Sequence, residues 1–171
     1  ATDEQLRHKL GSDEKEKAEN IMIVDLVRND LSRSCKAGSV QVPALQQVYT
    51  FATVHQMIST VRGEMTDRTI GVDALAAAFP MGSMTGAPKI KAMELIEELE
   101  KSKRGLYSGA IGYFTPDDDF DFNVVIRSLQ YNGKTGYLSL MTGSAITYDS
   151  VPEQELAECE LKAAALLGLF A

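Results

Sequence analysis

"LYSGAIGYFTPDDDFDFNVVIRSLQYNGKTGYLSLMTGSAIT", residues 106–147, decides the fold class. Runs rich in Ile, Val, Phe, Tyr and Leu are separated by "PDDD" at 116–119 and "NGKTG" at 132–136. That is the turn chemistry that joins antiparallel strands, and the whole stretch predicts a β-meander. Upstream, "SVQVPALQQVYTFATVHQMISTVRGEM" (39–65) alternates apolar and polar residues and is rich in Val and Thr. It predicts one or two further half-buried strands.

Helical patterns lie around these strands. "SDEKEKAENIMIVDLVRN" (12–29) has acids in its first turn and Ala18, Met22 and Leu26 at helical spacing, which predicts a capped, largely buried helix. Asp25, inside its apolar run, needs a partner, and Arg28 one turn on is the nearest candidate. A short helix is expected in "TIGVDALAAAFP" (69–80). A longer one is expected in "APKIKAMELIEELEKSK" (87–103), with Ile90, Met93, Ile96 and Leu99 inward and Gly105 as its stop. Ser150 and Glu153 read as a capping box, with Pro152 in the first turn, that starts a C-terminal helix. The sum is an α+β fold in which antiparallel β-sheets are flanked by helices, without repeats or linkers.

The 171 residues, 44% of them hydrophobic and 24% charged, suit one soluble domain with one core, or a piece of such a domain. A formal charge of −7 leaves no basic stripe for nucleic acid. No apolar run of about 18 residues is present to span a bilayer, and residues 1–20 lack the layout of a signal peptide, so a cytoplasmic location is expected. Cys35 and Cys159 have neither C-x-x-C spacing nor a histidine cluster, and are expected to be reduced structural thiols rather than zinc ligands. The start at Ala1, without Met, suggests that residues upstream are missing.

"PMGSMTGAPK" (80–89) combines two glycines with Ser83 and Thr85 before a proline, a loop that lets a ligand approach the backbone. It is not a phosphate-binding P-loop, because Gly82 and Gly86 are only four residues apart and Ala87 and Pro88 follow in place of Lys and Ser/Thr. The plainer alternative has Ser83 or Thr85 capping the next helix. Glu155, Glu158 and Lys162 fall on one helical face and either converge on a ligand or form a surface ion pair. Glu19 is one charge among several on the first helical stretch. Two helix-borne carboxylates meeting across a cleft would suit Mg²⁺, a hard ion that takes one or two carboxylates and keeps waters. His55, in an apolar strand-like stretch, is either a satisfied interior histidine or a functional one. Arg127, flanked by Val125, Ile126 and Leu129, needs an acceptor. A substrate carboxylate shared with Tyr107 would serve, as would Asp119 or Asp121. "TGSAIT" (142–147) repeats the theme of small residues with bare amides ahead of a helix.

Taken together, "KAENIMIVDLVRNDL", "PMGSMTGAPKIKAMELIEELE", "LYSGAIGYF", "DFNVVIRSL" and "GSAITYDSVPEQELAECELKA" closely resemble the chorismate-utilising enzymes. These are anthranilate synthase component I, aminodeoxychorismate synthase component I and the isochorismate and salicylate synthases. The wording "GSMTGAPK" with "DFNVVIR" is most like the aminodeoxychorismate synthase branch, which serves para-aminobenzoate and folate synthesis. The resemblance implies Mg²⁺ held by Glu19 and Glu158, with Glu155 an accessory acid beside it and His55 the pocket histidine. It implies that Arg127 and Tyr107 grip the enolpyruvyl carboxylate of chorismate. Ser83 would face the ring, Gly143 and Ala145 would offer backbone N–H groups, and Lys162 would contact a carboxylate. It implies a glutamine amidotransferase partner supplying ammonia. It also implies that the chain is the C-terminal part of a longer protein whose N-terminal part carries a "PIKGT"-like lysine and a catalytic acid, so that this part alone is expected to be inactive.

Overall fold

The computed structural model describes residues 2–67 and 69–170. In chain order the elements are α1 (Asp3–Ser12), α2 (Glu14–Ser32), β1 (Gln41–Thr50), β2 (His55–Arg62), α3 (Gly71–Ala78), a 3₁₀ turn (Gly82–Met84) and α4 (Lys89–Leu99). They are followed by β3 (Ala110–Phe114), β4 (Phe120–Val124), β5 (Leu129–Asn132), β6 (Tyr137–Leu140) and α5 (Pro152–Leu167). The expected α+β mixture of helices and antiparallel strands is what forms. Two compact units result, one of residues 1–101 with 114–120, the other of 102–113 with 121–171.

In the first unit, α1 and α2 pack on the β1–β2 hairpin. Capping sets both helix starts. Thr2 and Gln5 form a reciprocal capping box on α1, while the Asp13 carboxylate accepts from the Lys15 and Glu16 amides at the head of α2. The hairpin register runs from Gln41 opposite Arg62 to Thr50 opposite His55, with irregularities around Ala44 and Gln47. At the irregularity Gln46 takes φ 53°, its amide donates to Ser59 Oγ at 2.8 Å, and its side chain donates to the Lys17 carbonyl at 2.8 Å. Ser59 in turn donates to Asn20 Oδ1 at 2.5 Å, so the bulge is tied to α2 through a polar chain. Beyond the hairpin's open end Lys36 holds Glu64 at 2.5 Å, and that bond with its charge raises the Lys36 pKa.

Several local expectations change in three dimensions. α2 is far from largely buried: Val24 and Asp30 are its buried residues, and Ala18 is exposed. Asp25 and Arg28 do pair at 3.1 Å, but both face solvent, so no buried carboxylate had to be satisfied there. α4 stops at Leu99 rather than running to Gly105. Its expected inner face is open, with Ile90 at 75% and Leu99 at 70% exposure. The apolar periodicity is present, but Ile96 is the one residue of the stripe that is partly covered.

In the second unit the strands form separate two-stranded hairpins, not one continuous meander. β5 pairs with β6 from Leu129 opposite Leu140 to Asn132 opposite Tyr137. Asn132 Oδ1 accepts from the amides of Lys134 and Thr135 and so closes the turn that "NGKTG" announced. The expected capping box on α5 does not form: Ser150 Oγ accepts from the Thr147 amide at 2.9 Å, and the N-cap residue is Val151. Among the described residues the buried apolar side chains are Val24, Cys35 and Val125, a thinner core than 171 residues led one to expect.

The glycines of "PMGSMTGAPK" do work the sequence left open. Gly82 is buried, and a Cβ there would lie 2.9 Å from Leu26 Cβ on α2. Gly82→Ala must therefore push the loop off α2, and a loss of about 1–3 kcal/mol in chemical denaturation of the protein is expected. Gly38→Ala, where an added Cβ meets nothing within 4 Å but φ is +77°, reports the backbone cost alone.

Candidate functional site

The second unit gathers most of the residues singled out in the sequence. α5 turns one face toward the segment 142–147, as the spacing of Glu155, Glu158 and Lys162 requires. Lys162 Nζ lies 2.6 Å from Glu158 Oε1 and donates to the Gly143 carbonyl at 2.9 Å. Glu155 is buried, with 5% of its surface exposed, and accepts from the Ser144 hydroxyl. Tyr107 also stands against Gly143, its hydroxyl oxygen 2.7 Å from where a Cβ added to that glycine would lie. The Arg104 guanidinium sits 5.9 Å from the centre of the Tyr107 ring and donates to Ser108 Oγ at 3.2 Å. Ala145 follows one residue past Ser144, its carbonyl accepting from Ser150 Oγ at 3.4 Å.

Arg127 is exposed just beyond β4, in a bend where its own φ is 47°. That value is uncommon for a residue with a side chain and singles the position out. Among the described residues its guanidinium makes no hydrogen bond or ion pair, so of the two acceptors the sequence left open the pairing with Asp119 or Asp121 is not formed. Beside it, β3, β4, β5 and β6 border an open groove of about 990 Å³ that includes Leu106, Val125, Ile126 and Ser128.

The first unit holds Glu19, His55 and Ser83. Glu19, on α2, is largely buried at 22% side-chain exposure, 3.7 Å from the Lys15 ammonium. His55 opens β2 with 10% of its side chain exposed; Nδ1 lies 3.0 Å from Thr50 Oγ1 and Nε2 3.0 Å from Asp3 Oδ1. Both ring nitrogens thus have protein partners. Ser83 lies exposed in the 3₁₀ turn. Thr85 does not cap α4; its hydroxyl bonds the carbonyls of Met81 and Gly82, closing the turn on itself.

A model of the family described as chorismate binding enzyme matches residues 1–168. The chain belongs to that family. An aminodeoxychorismate synthase of Arabidopsis thaliana, a chloroplastic protein by its name, is 49% identical over 160 residues, which are 94% of this chain and 17% of that protein. The anthranilate synthase component 1 of Methanothermobacter marburgensis is 48% identical over 156 residues, 91% of this chain and 33% of its own length. The chain therefore spans a third or less of these curated relatives. Among solved structures, anthranilate synthase component I from Streptococcus pneumoniae superposes with a TM-score of 0.81 at 40% identity, over 94% of this chain and 37% of that one. The fold of this chain is thus that of a solved anthranilate synthase component I.

Three residues escaped sequence reasoning, two in the second unit and one in the first. Ser144 was visible only as one more small residue between Gly143 and Ala145, and Arg104 as one of several cations before Gly105. Lys89 Nζ, which lies 2.6 Å from Asp30 Oδ2, was hidden because nothing in spacing joins positions 59 residues apart. Among the described residues no group of three or more His, Cys, Asp or Glu side chains is assembled as a metal cluster. No helix there is long and apolar enough to cross a membrane.

The contact between Gly143 and the Tyr107 hydroxyl has a direct test. Gly143→Ala should cost about 1–3 kcal/mol in chemical denaturation, and clearly less in a Tyr107→Phe background, where the obstructing oxygen is gone. Equal costs in both backgrounds would mean that the hydroxyl does not border Gly143.

Proposed function

We propose that the protein carrying this segment binds chorismate and replaces its ring 4-hydroxyl by nitrogen, forming 4-amino-4-deoxychorismate for para-aminobenzoate and folate synthesis. The observation that supports this most is the convergence of Tyr107, Gly143, Glu155, Glu158 and Lys162 within one small region of the second unit. Chorismate is a dianion, and such a region must offer it both cations and oriented donors.

In this reading Arg127 receives a substrate carboxylate, since its guanidinium has no acceptor among the described residues. Tyr107 adds an O–H donor to the same carboxylate. Lys162 is already fixed by the Gly143 carbonyl and by Glu158, so its remaining hydrogen can point to a second carboxylate without reorganisation. Gly143 and Ala145 offer backbone N–H groups, and Ser83 faces the ring. His55 would be the pocket histidine, and since Thr50 and Asp3 engage both of its ring nitrogens, one of these bonds must open before it can exchange a proton with a ligand.

In this reading Glu158 and Glu19 would be the carboxylates that hold Mg²⁺, with Glu155, a buried acid that accepts from Ser144, beside Glu158 on α5; Mg²⁺ needs only one or two protein carboxylates. When bound, the ion would supply positive charge that neutralises and orients the ring carboxylate. Ammonia would come from a glutamine amidotransferase partner. A cytoplasmic setting, in which Cys35 and Cys159 would stay reduced, belongs to this reading.

A second reading is favoured by relatives of nearly equal identity: the protein forms anthranilate instead, as the name of the 48%-identical Methanothermobacter protein suggests. Incubating the full-length protein with chorismate, Mg²⁺ and an ammonium salt separates the two by the mass and ultraviolet spectrum of the product. Aminodeoxychorismate is expected; anthranilate would assign the second reading, and no chorismate turnover would reject both. In the same protein Glu158→Gln, which removes a direct ligand, should weaken Mg²⁺ binding by at least about tenfold, the least that losing even an outer-shell partner costs, in a metal titration.

A further inference from the structure

The loop at residues 79–88, which carries Ser83, is tied at its base by a single ammonium group. Lys89, the first residue of α4, places Nζ 2.6 Å from Asp30 Oδ2 and 3.2 Å from the carbonyl oxygen of Ala78, the last residue of α3. Both ends of the loop are thereby fastened to each other and to α2. The pair is dry, with 13% of the Lys89 side chain and 5% of the Asp30 side chain exposed. A second fastening lies one helical turn away on α2, where Leu26 receives the buried Gly82. Leu26 and Asp30 are four residues apart and present one face, so the loop is held at two points by one rigid helix. Ser83, between these fastenings, remains exposed.

The charges are placed against local preference. Asp30 lies in the last turn of α2 and Lys89 in the first turn of α4. Each is the sign that a helix dipole disfavours at that end. Neither helix gains from its own charge, so the arrangement serves the pair and the loop it closes.

We propose that Asp30 and Lys89 are positioning residues that hold the loop 79–88, and with it Ser83, in the conformation that meets the substrate ring. This rests on the reading of chorismate as the ligand. The clamp acts through the loop and touches no reacting atom, so its loss should weaken substrate binding more than the chemical step.

The test uses full-length protein with Asp30→Asn, Lys89→Met, the double variant and Lys89→Arg. Each single variant is expected to raise KM for chorismate at least tenfold with kcat within threefold of wild type. The double variant should be no worse than the worse single one, and Lys89→Arg should recover most of the loss. Amide exchange at residues 82–86 should quicken in Asp30→Asn. Variants that melt earlier yet keep wild-type KM and loop exchange would overturn the proposal by reducing the pair to a stability element. Where Lys89→Met does not fold, the near-isosteric Asp30→Asn decides by the same two readouts. If the wild-type protein neither binds nor converts chorismate, the ligand reading fails separately. Loop exchange then decides the clamp: faster exchange in Asp30→Asn upholds it and unchanged exchange removes it.

Discussion

In the first unit three helices meet at the Lys89 ammonium, which joins the Asp30 carboxylate near the end of α2 to the last carbonyl of α3 and stands at the head of α4. Taking two charges out of water is costly, and only a short, well-directed pair offsets that cost. Removing one partner would leave the other charge buried, at about 3–5 kcal/mol. The interaction therefore constrains more than it stabilises: α2, α3 and α4 can adopt only those positions that keep both charges matched. The polar chain from Asn20 through Ser59 to Gln46 does the same between α2 and the β1–β2 hairpin, so α2 is the reference against which loop and hairpin are set.

The second unit uses a different device. Glu158 and Lys162 form a pair that is partly exposed, at 41% and 29%, and such pairs add little to stability. Their value lies in position. Lys162 is shared with the Gly143 carbonyl and therefore couples α5 to the small-residue segment that a ligand would approach. Glu155 faces the same segment but is buried and held by Ser144. One helical face thus offers a buried carboxylate, a partly exposed one and a cation, three electrostatic environments within two turns.

Where sequence reasoning missed, a competing partner was the usual cause. Ser150 could cap α5 or close the turn before it, and the Thr147 amide won. Thr85 could cap α4 or its own 3₁₀ turn, and the nearer carbonyls won. Asp25 looked like a buried charge because its neighbours in sequence are apolar, but it projects from the solvent side of α2. The stripe of Ile90, Met93, Ile96 and Leu99 has a helix's period, and a helix forms there, yet periodicity says which residues share a face and not whether anything covers it.

What the amino-acid sequence determined by itself was local and chemical: alternation made the strands, 3.6-residue spacing put Glu155, Glu158 and Lys162 on one face, and turn residues closed the hairpins. The ordered motifs also carried the family, because long matching words in register do not depend on how the chain packs. Only the tertiary structure decided that Lys89 answers Asp30, that Tyr107 stands against Gly143, and that the strands remain separate hairpins. The reason is that contacts between distant positions follow from shape and desolvation after folding, and no spacing along the chain encodes them.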